Sequence, residues 1–395
     1  MILARFPDPQ APPHMSKELR HYSAEHEAFR DQVRRFVDQR IRPALDDWER
    51  QQSIPREVHA EAAAIGLLGI GFPEAHGGIA DTDLFYQLVA IEELARAGSG
   101  GVLASLMSHG IACPPIAAMG SEEQKQRFLA PVLRGEQIAA LAITEPSGGS
   151  DVANLRTRAV RDGDDYLVSG EKTFITSGLR ADYLTVAVRT GGEGMGGISL
   201  LLIETDRPGI TRTPLEKMGW WCSDTASIHF DAVRVPVANR IGDENHGFMG
   251  IMLNFNGERI ALAAQAWALA QVCYDEALAW ARERQTFGRP LIRNQVIRHK
   301  LVDMRTRIEA ARALLESLTA RVDAGQLPVA ELCMLKNFCT ETLEYVAGEA
   351  VQVLGGAGYI RGSASERIFR ETKVLSIGGG ASEIMKDLAG RQMGY

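Results

Sequence analysis

The stretch Ile143-Thr144-Glu145-Pro146-Ser147-Gly148-Gly149-Ser150-Asp151 lies where helical periodicity gives way to alternation, and its reading decides the fold. Ahead of it, residues 137–143 form a run of apolar and small residues short enough for a buried strand, and Pro146 forbids that ladder from continuing. The chain must turn there. Gly148 and Gly149 carry no side chains, so backbone N–H groups can approach a ligand closely, and Thr144 and Ser150 add hydroxyls that both donate and accept. Such a turn suits a polar, oxygen-rich cofactor; taken alone, the same residues also suit a plain surface turn.

Toward the N-terminus, Phe29, Val33, Phe36, Val37 and Ile41 recur at helical spacing, with charges between them, until Pro43. Similar patterns run through residues 57–68, 83–97, 100–119 and 122–133, punctuated by Phe72-Pro73 and Gly77-Gly78. Residues 20–138 therefore read as an all-helical domain. Residues 1–19 read as a flexible leader, because the first fifteen hold four prolines and no apolar segment of a secretory signal. Met15 is a second candidate for the start of translation.

Toward the C-terminus the period changes. Tyr166 and Val168 alternate after the turn Asp162-Gly163-Asp164, and residues 183–189, 198–204 and 226–235 follow, each bounded by Gly, Asp or Pro. A small antiparallel β domain is expected over 139–242. No GxGxxG follows a strand and opens a helix, so a Rossmann domain is not supported. From 243 to 395 the chain is helical again, and Ile297, Leu301, Met304, Ile308, Ala311, Leu315, Leu318 and Val322 step by four and three alternately. That seam wants a partner helix. With residues 260–284, 329–354 and 365–390 it makes a C-terminal four-helix bundle, so the fold class is α+β, mainly α.

Composition narrows the function. A net charge of −7 over 395 residues argues against a nucleic-acid footprint. No stretch reaches the ~18 to 20 apolar residues of a membrane span; the nearest, 260–273, is rich in Ala and interrupted by Gln265 and Gln271. The five cysteines show neither CxxC nor a Cys/His metal spacing, so no metal is expected and buried thiols in a reducing compartment are the natural reading. That compartment is the cytoplasm of a bacterium, or the mitochondrial matrix of a eukaryote.

Three further motifs follow the opening stretch: Lys172-Thr173-Phe174-Ile175-Thr176-Ser177-Gly178, Arg284-Gln285-Thr286-Phe287-Gly288 and Gln352-Val353-Leu354-Gly355-Gly356. In this order the four resemble the acyl-CoA dehydrogenase family of flavoproteins, from about residue 20 to about residue 391. The resemblance implies FAD, because oxidising an unactivated C–C bond needs a hydride acceptor that no side chain supplies. It places Leu141, Ile143 and Thr144 against the isoalloxazine, Ser150 near pyrophosphate and substrate, Phe174 where Trp is common beside the flavin, and Thr176 at the ring's polar edge. It gives Arg284, Thr286, Gln295, Gln352, Gly355 and Gly356 to the ADP half of an FAD held by a neighbouring subunit. A permanent cation and amide side chains suit pyrophosphate. A homotetramer is implied, with a dimer second.

Removing the α-proton of a thioester requires a general base. Many family members carry a Glu just before the last helix, and there this chain has Gly379, within Ser376-Ile377-Gly378-Gly379-Gly380-Ala381-Ser382-Glu383. Glu258, in Asn256-Gly257-Glu258-Arg259, stands where long-chain and isovaleryl-type members carry theirs, and is the candidate base. By the same resemblance the Gly379 N–H donates to the thioester carbonyl; Gly380, Asn256 and Arg259 contact substrate; and Ala381, Ser382 and Glu383 lie near the flavin. The expected reaction turns an acyl-CoA into a trans-2-enoyl-CoA and passes electrons to an electron-transferring flavoprotein. A medium- to long-chain or branched, citronellyl-like substrate is expected, with an isovaleryl-like one second. A flavin oxidase or monooxygenase of the same fold and a catalytically silent scaffold are the rival functions.

Overall fold

The computed structural model describes residues 21–395, apart from the side chains of residues 253–256. The expected leader lies outside the described residues. Nine helices precede the sheet: α1 (Ala24–Phe36), α2 (Leu45–Gln51), α3 (Glu57–Ala64), α4 (Leu84–Ala95), α5 (Gly100–Leu106), α6 (His109–Ala112), α7 (Pro114–Met119), α8 (Glu122–Gln124) and α9 (Ala130–Leu133). Local chemistry sets several of their starts. Ser23 and His26 close a capping box on α1, and the Asp83 carboxylate accepts from the Phe85 and Tyr86 N–H groups at the start of α4. His26 Nε2 also meets Asp83 Oδ1 at 2.8 Å, which ties the two N-termini together. Pro43 bends the chain rather than ending it: a π turn at Val37–Ile41 and a 3₁₀ turn at Arg42–Ala44 lead straight into α2.

The middle sheet has eight strands: β1 (Ala139–Ala142), β2 (Arg158–Asp162), β3 (Asp165–Thr176), β4 (Tyr183–Arg189), β5 (Ile198–Glu204), β6 (Ile210–Pro214), β7 (Thr225–Pro236) and β8 (Arg240–Ile241). Their order is β6-β7-β3-β2-β4-β5-β8, with β1 beside β4. Most pairs are antiparallel as expected, but β1 pairs β4 in parallel, Ala139 opposite Tyr183. The long excursion from residue 143 to 182 provides the crossover that a parallel pair needs. β4 and β5 are buried on both faces, so their sequences are continuous apolar runs rather than alternations.

The short strands β9 (Gln285–Thr286) and β10 (Arg289–Pro290) form a hairpin after the first bundle helix. The bundle consists of α10 (Gly247–Glu283), α11 (Gln295–Asp323), α12 (Val329–Leu354), the short α13 (Gly356–Tyr359), α14 (Ala364–Ile377) and α15 (Ser382–Gln392). Leu301, Met304, Ile308, Ala311, Leu315 and Leu318 of the predicted seam are all buried. The expected last helix is two, broken at Gly378–Ala381, where Gly379 and Gly380 adopt φ of 63° and 97°. α10 has 37 residues, packs against α11, α12 and α14, and also touches α4 and α5. It therefore joins the bundle to the N-terminal helices. All five cysteines are free and buried. Among the described residues no single helix is long and apolar enough to cross a membrane, and no group of His, Cys, Asp and Glu is placed to hold a metal ion.

Candidate active site

The opening turn is held from below by a buried ion pair. Lys172 Nζ, fully enclosed on β3, donates to Glu145 Oε1 at 2.9 Å and to the Ile143 carbonyl at 2.9 Å. Glu145 also accepts from the Arg156 and Thr157 N–H groups at 2.6 and 2.9 Å. Burial pushes Lys172 down to about 8 while Glu145 opposes it, and Glu145 itself stays below the usual carboxylate range because Lys172 and these donors outweigh its burial. With the base of the loop fixed, Pro146 to Ser150 are left exposed, and Ile143 and Thr144 lie at the boundary between core and surface.

Beside that loop, the Thr173 N–H donates to the Thr144 carbonyl at 2.9 Å and places the next residue, Phe174, over the loop's edge. Phe174 is 70% exposed and has φ of 59°, at a register shift between Lys172 and Ile175 in the β3–β7 ladder. An exposed ring in a left-handed conformation costs free energy twice, in solvation and in strain, and such costs persist where a ligand makes use of them. Thr176 is half-buried on the same strand. The ring, the Thr144 hydroxyl and the bare Gly148-Gly149 backbone fit the flat, polar-edged flavin.

The second group lies elsewhere. Trp280, Arg284, Thr286, Leu291, Val353, Leu354, Gly355, Gly356 and Ala357 line a groove with a volume of about 390 Å³. The Thr286 hydroxyl is enclosed there without a hydrogen-bond partner, which fits a polar ligand better than a closed interior. Arg284 is exposed at the end of α10, and Gly355, with φ of 63°, stops α12 so that its backbone faces the groove. Gln352 and Gln295 are exposed nearby on α12 and α11. No residue of the loop 143–151 lines this groove, so the chain carries the two halves of the expected FAD site as separate patches.

The third element is the turn between α14 and α15. A Cβ built on Gly379 would lie 3.5 Å from Glu258 Oε1 and would overlap Leu262 Cδ1, so the two positions predicted from sequence do converge. Glu258 is half-buried, and its enclosure pushes the carboxyl up to about 7 against the pull of Arg259 and Lys336. Among the described residues the Gly379 and Gly380 N–H groups have no acceptor. Ala381 and Ser382 are half-buried at the start of α15, and Glu383 is exposed. Arg259 is buried. Asn256 belongs to α10, but its side chain lies outside the described residues.

Three residues escaped the sequence reading. Glu145 and Lys172 were within quoted motifs yet carried no assigned part, and Lys336 was not singled out at all. The signal for Lys336 was there: it is the one charge between Leu332 and Phe338 in an otherwise apolar helical run.

A helical domain, a middle sheet and a helical bundle, with a glycine-rich turn at the first junction and Glu258 of α10 facing Gly379, make the architecture of a flavin-dependent dehydrogenase. The acyl-CoA dehydrogenase N-terminal, middle and C-terminal domain models match residues 23–136, 140–233 and 245–394. The chain belongs to the acyl-CoA dehydrogenases, oxidoreductases that act on CH–CH bonds and use FAD. It is 40% identical to an acyl-CoA dehydrogenase of Alternaria alternata, AFT10-1, over 93% of this chain and 91% of that one. The crystal structure of a probable acyl-CoA dehydrogenase from Mycobacterium abscessus superimposes with a TM-score of 0.93 at 49% identity, covering 94% of this chain and 99% of that one. A Mycobacterium smegmatis glutaryl-CoA dehydrogenase solved in complex with FADH2 is similar at 27% identity and a TM-score of 0.89, covering 94% of this chain and 95% of that one.

Arg284→Ala removes a permanent cation from the groove. Charge-assisted hydrogen bonds to phosphate are worth about 1.5–3 kcal/mol, a loss of roughly 10- to 150-fold in affinity. Gel filtration at low protein concentration should strip FAD from the variant and not from the parent; equal retention removes Arg284 from the site.

Proposed function

We propose that the protein dehydrogenates a medium- to long-chain or branched acyl-CoA, with Glu258 as the base. The observation that carries this reading is the approach of Glu258 to Gly379, with Leu262 packed over the glycine. When bound, FAD supplies the acceptor for the β-hydride. Glu258 takes the α-proton, and a carboxyl raised to about 7 is matched to that task near neutral pH. The free Gly379 N–H donates to the thioester carbonyl, where negative charge develops as the proton leaves. Phe174 covers one side of the flavin and Thr144 and Thr176 meet its polar edge. Arg284, Thr286, Gln295, Gln352, Gly355 and Gly356 hold the ADP portion of a neighbouring subunit's cofactor. Exposed apolar residues on the bundle support a homotetramer: Val296 and Val302 on α11, Phe369 and Ile377 on α14, with Tyr359 at the end of α13 and Ile360 just after it.

Glu258→Gln keeps shape and hydrogen bonding and removes the proton acceptor. Flavin reduction in anaerobic stopped flow should slow by about 10²- to 10⁴-fold with FAD content unchanged; near-parental reduction would end the assignment. The same variant has a stability signature. Glu258 has its pKa raised from 4.5 to about 7 on folding, so its ionisation opposes the folded state fully above pH 7 and not at all below pH 4.5. The holoprotein of Glu258→Gln should therefore melt at a higher temperature than the parent at pH 8, and that advantage should shrink as pH falls through 7 toward 5.

Moving the carboxylate to position 379 is obstructed by Leu262 and by the left-handed φ of Gly379. Glu258→Gly with Gly379→Glu should recover little activity alone and more when Leu262→Ala is added.

The triglycine turn Gly378–Gly380 leaves the wall by the reacting carbons without bulky side chains, which favours long or branched acyl groups. An isovaleryl-like substrate is the second choice. Across a panel of acyl-CoAs, the highest kcat/KM should fall on one of these classes, and a maximum at butyryl-CoA would overturn the reading. Electrons leave to an electron-transferring flavoprotein: the substrate-reduced enzyme should reoxidise slowly in air and quickly with that acceptor, whereas rapid reoxidation by oxygen alone would make it an oxidase.

A further inference from the structure

Lys336 is a lysine with no exposed surface in the interior of α12. Its ammonium donates to the Gly380 carbonyl at 2.8 Å and to the Ser376 carbonyl at 3.2 Å. The next residue, Asn337, donates to the Ser382 carbonyl at 2.9 Å. Two consecutive side chains of one helix thus clamp the entire turn from the end of α14 to the start of α15. Gly379 stands in the middle of the clamped segment, with its N–H free and its Cα facing Glu258.

We propose that Lys336 is a positioning residue of the dehydrogenation: it fixes the Gly379 N–H for the thioester carbonyl and holds the Glu258 carboxylate in its ionised, proton-accepting form. The inference rests on the reading of Glu258 as the base. A neutral side chain of the same length could fill the space, but a buried charge is costly unless it is used, and among the described residues its hydrogen-bond partners are two carbonyls. Glu258 meets the same turn, its Oε1 3.5 Å from where a Gly379 Cβ would stand, and its charge favours the ammonium. The coupling runs both ways, since Lys336 holds Glu258 below the value that burial alone would give it. The other titratable or charged groups facing the pair are Arg259 on α10, Cys333 on α12 and Glu383 on α15. The cation is therefore tied to both the donor and the base of one reaction, from a helix that carries neither.

The test is the pH profile of flavin reduction by one good substrate, measured anaerobically from pH 5.5 to 9 in the FAD-loaded parent, Lys336→Met, Lys336→Gln and Lys336→Arg. Loss of the cation should raise the midpoint of the acid limb by about one pH unit. At pH 7 that is a roughly five- to tenfold slower reduction, much of which returns at pH 9, where Glu258 ionises without help. Arg should keep the parental midpoint. A Met variant with the parent's rate and midpoint would overturn the proposal, and so would a rate loss that is the same at every pH, because the charge would then have no part in keeping Glu258 ionised. Failure of both Met and Gln variants to accumulate as FAD-binding protein would also overturn it, by making Lys336 a folding residue. Glu258→Gln run in parallel separates the two readings: if it reduces flavin normally the base is misassigned, and if it does not while Met matches the parent, only the part given to Lys336 fails.

Discussion

The contact on which the arrangement depends is the enclosed pair of Lys172 and Glu145. Beyond each other and a long contact from the Ser147 hydroxyl, its two charges reach backbone groups: the carbonyl just after β1, and the two N–H groups that lead into β2. Three segments that are distant in sequence are thereby set in one relation, and Thr157, once placed, accepts from the Arg189 N–H of β4 at 2.7 Å and passes the constraint across the sheet. Removing one partner of such a pair commonly costs about 3–5 kcal/mol, because the other charge is left bare. The pair's value is geometric more than energetic. It anchors the glycine-rich loop above it, whose residues from Pro146 to Ser150 are exposed.

What was legible in the sequence follows the range of the interactions. The α11 seam could be read residue by residue because helix periodicity is local, and the pattern over 83–97 found α4 for the same reason. The parallel pairing of β1 with β4 was not legible: it joins residues more than forty apart, and nothing in Ala139–Ala142 says on which side its neighbour runs. The break between α14 and α15 was spelled out by three glycines but was read as continuous helix, because amphipathic spacing persists on both sides. Glu258 and the Arg284 groove were found only through resemblance. Their residues are exposed or half-buried, and exposure looks the same from sequence whether the neighbour is water or a cofactor. Lys336 fell to the opposite error, since a lone lysine is presumed to face solvent.

In the proposed reaction, Glu258 and the turn it faces divide one task between two chain segments. Glu258 sits on a long rigid helix, so its position is fixed by the packing of α10 against α11, α12 and α14. Gly379 sits in a short left-handed turn whose backbone no side chain of its own covers. Leu262 occupies the space that a side chain at 379 would need. The location of the carboxylate and the size of its neighbour are thus one choice, and a chain that made the other choice would need a smaller residue at 262.

The burial of every cysteine bears on how the protein survives its own chemistry. A reduced flavin that meets oxygen yields peroxide at close quarters, and peroxide attacks thiolates in preference to thiols. Here Cys113 is pushed up to about 12 by burial, and Cys273 and Cys339 are raised further by the same cause. None presents a reactive sulfur at neutral pH. Peroxide formed when an electron is lost to oxygen therefore meets buried thiols rather than exposed thiolates.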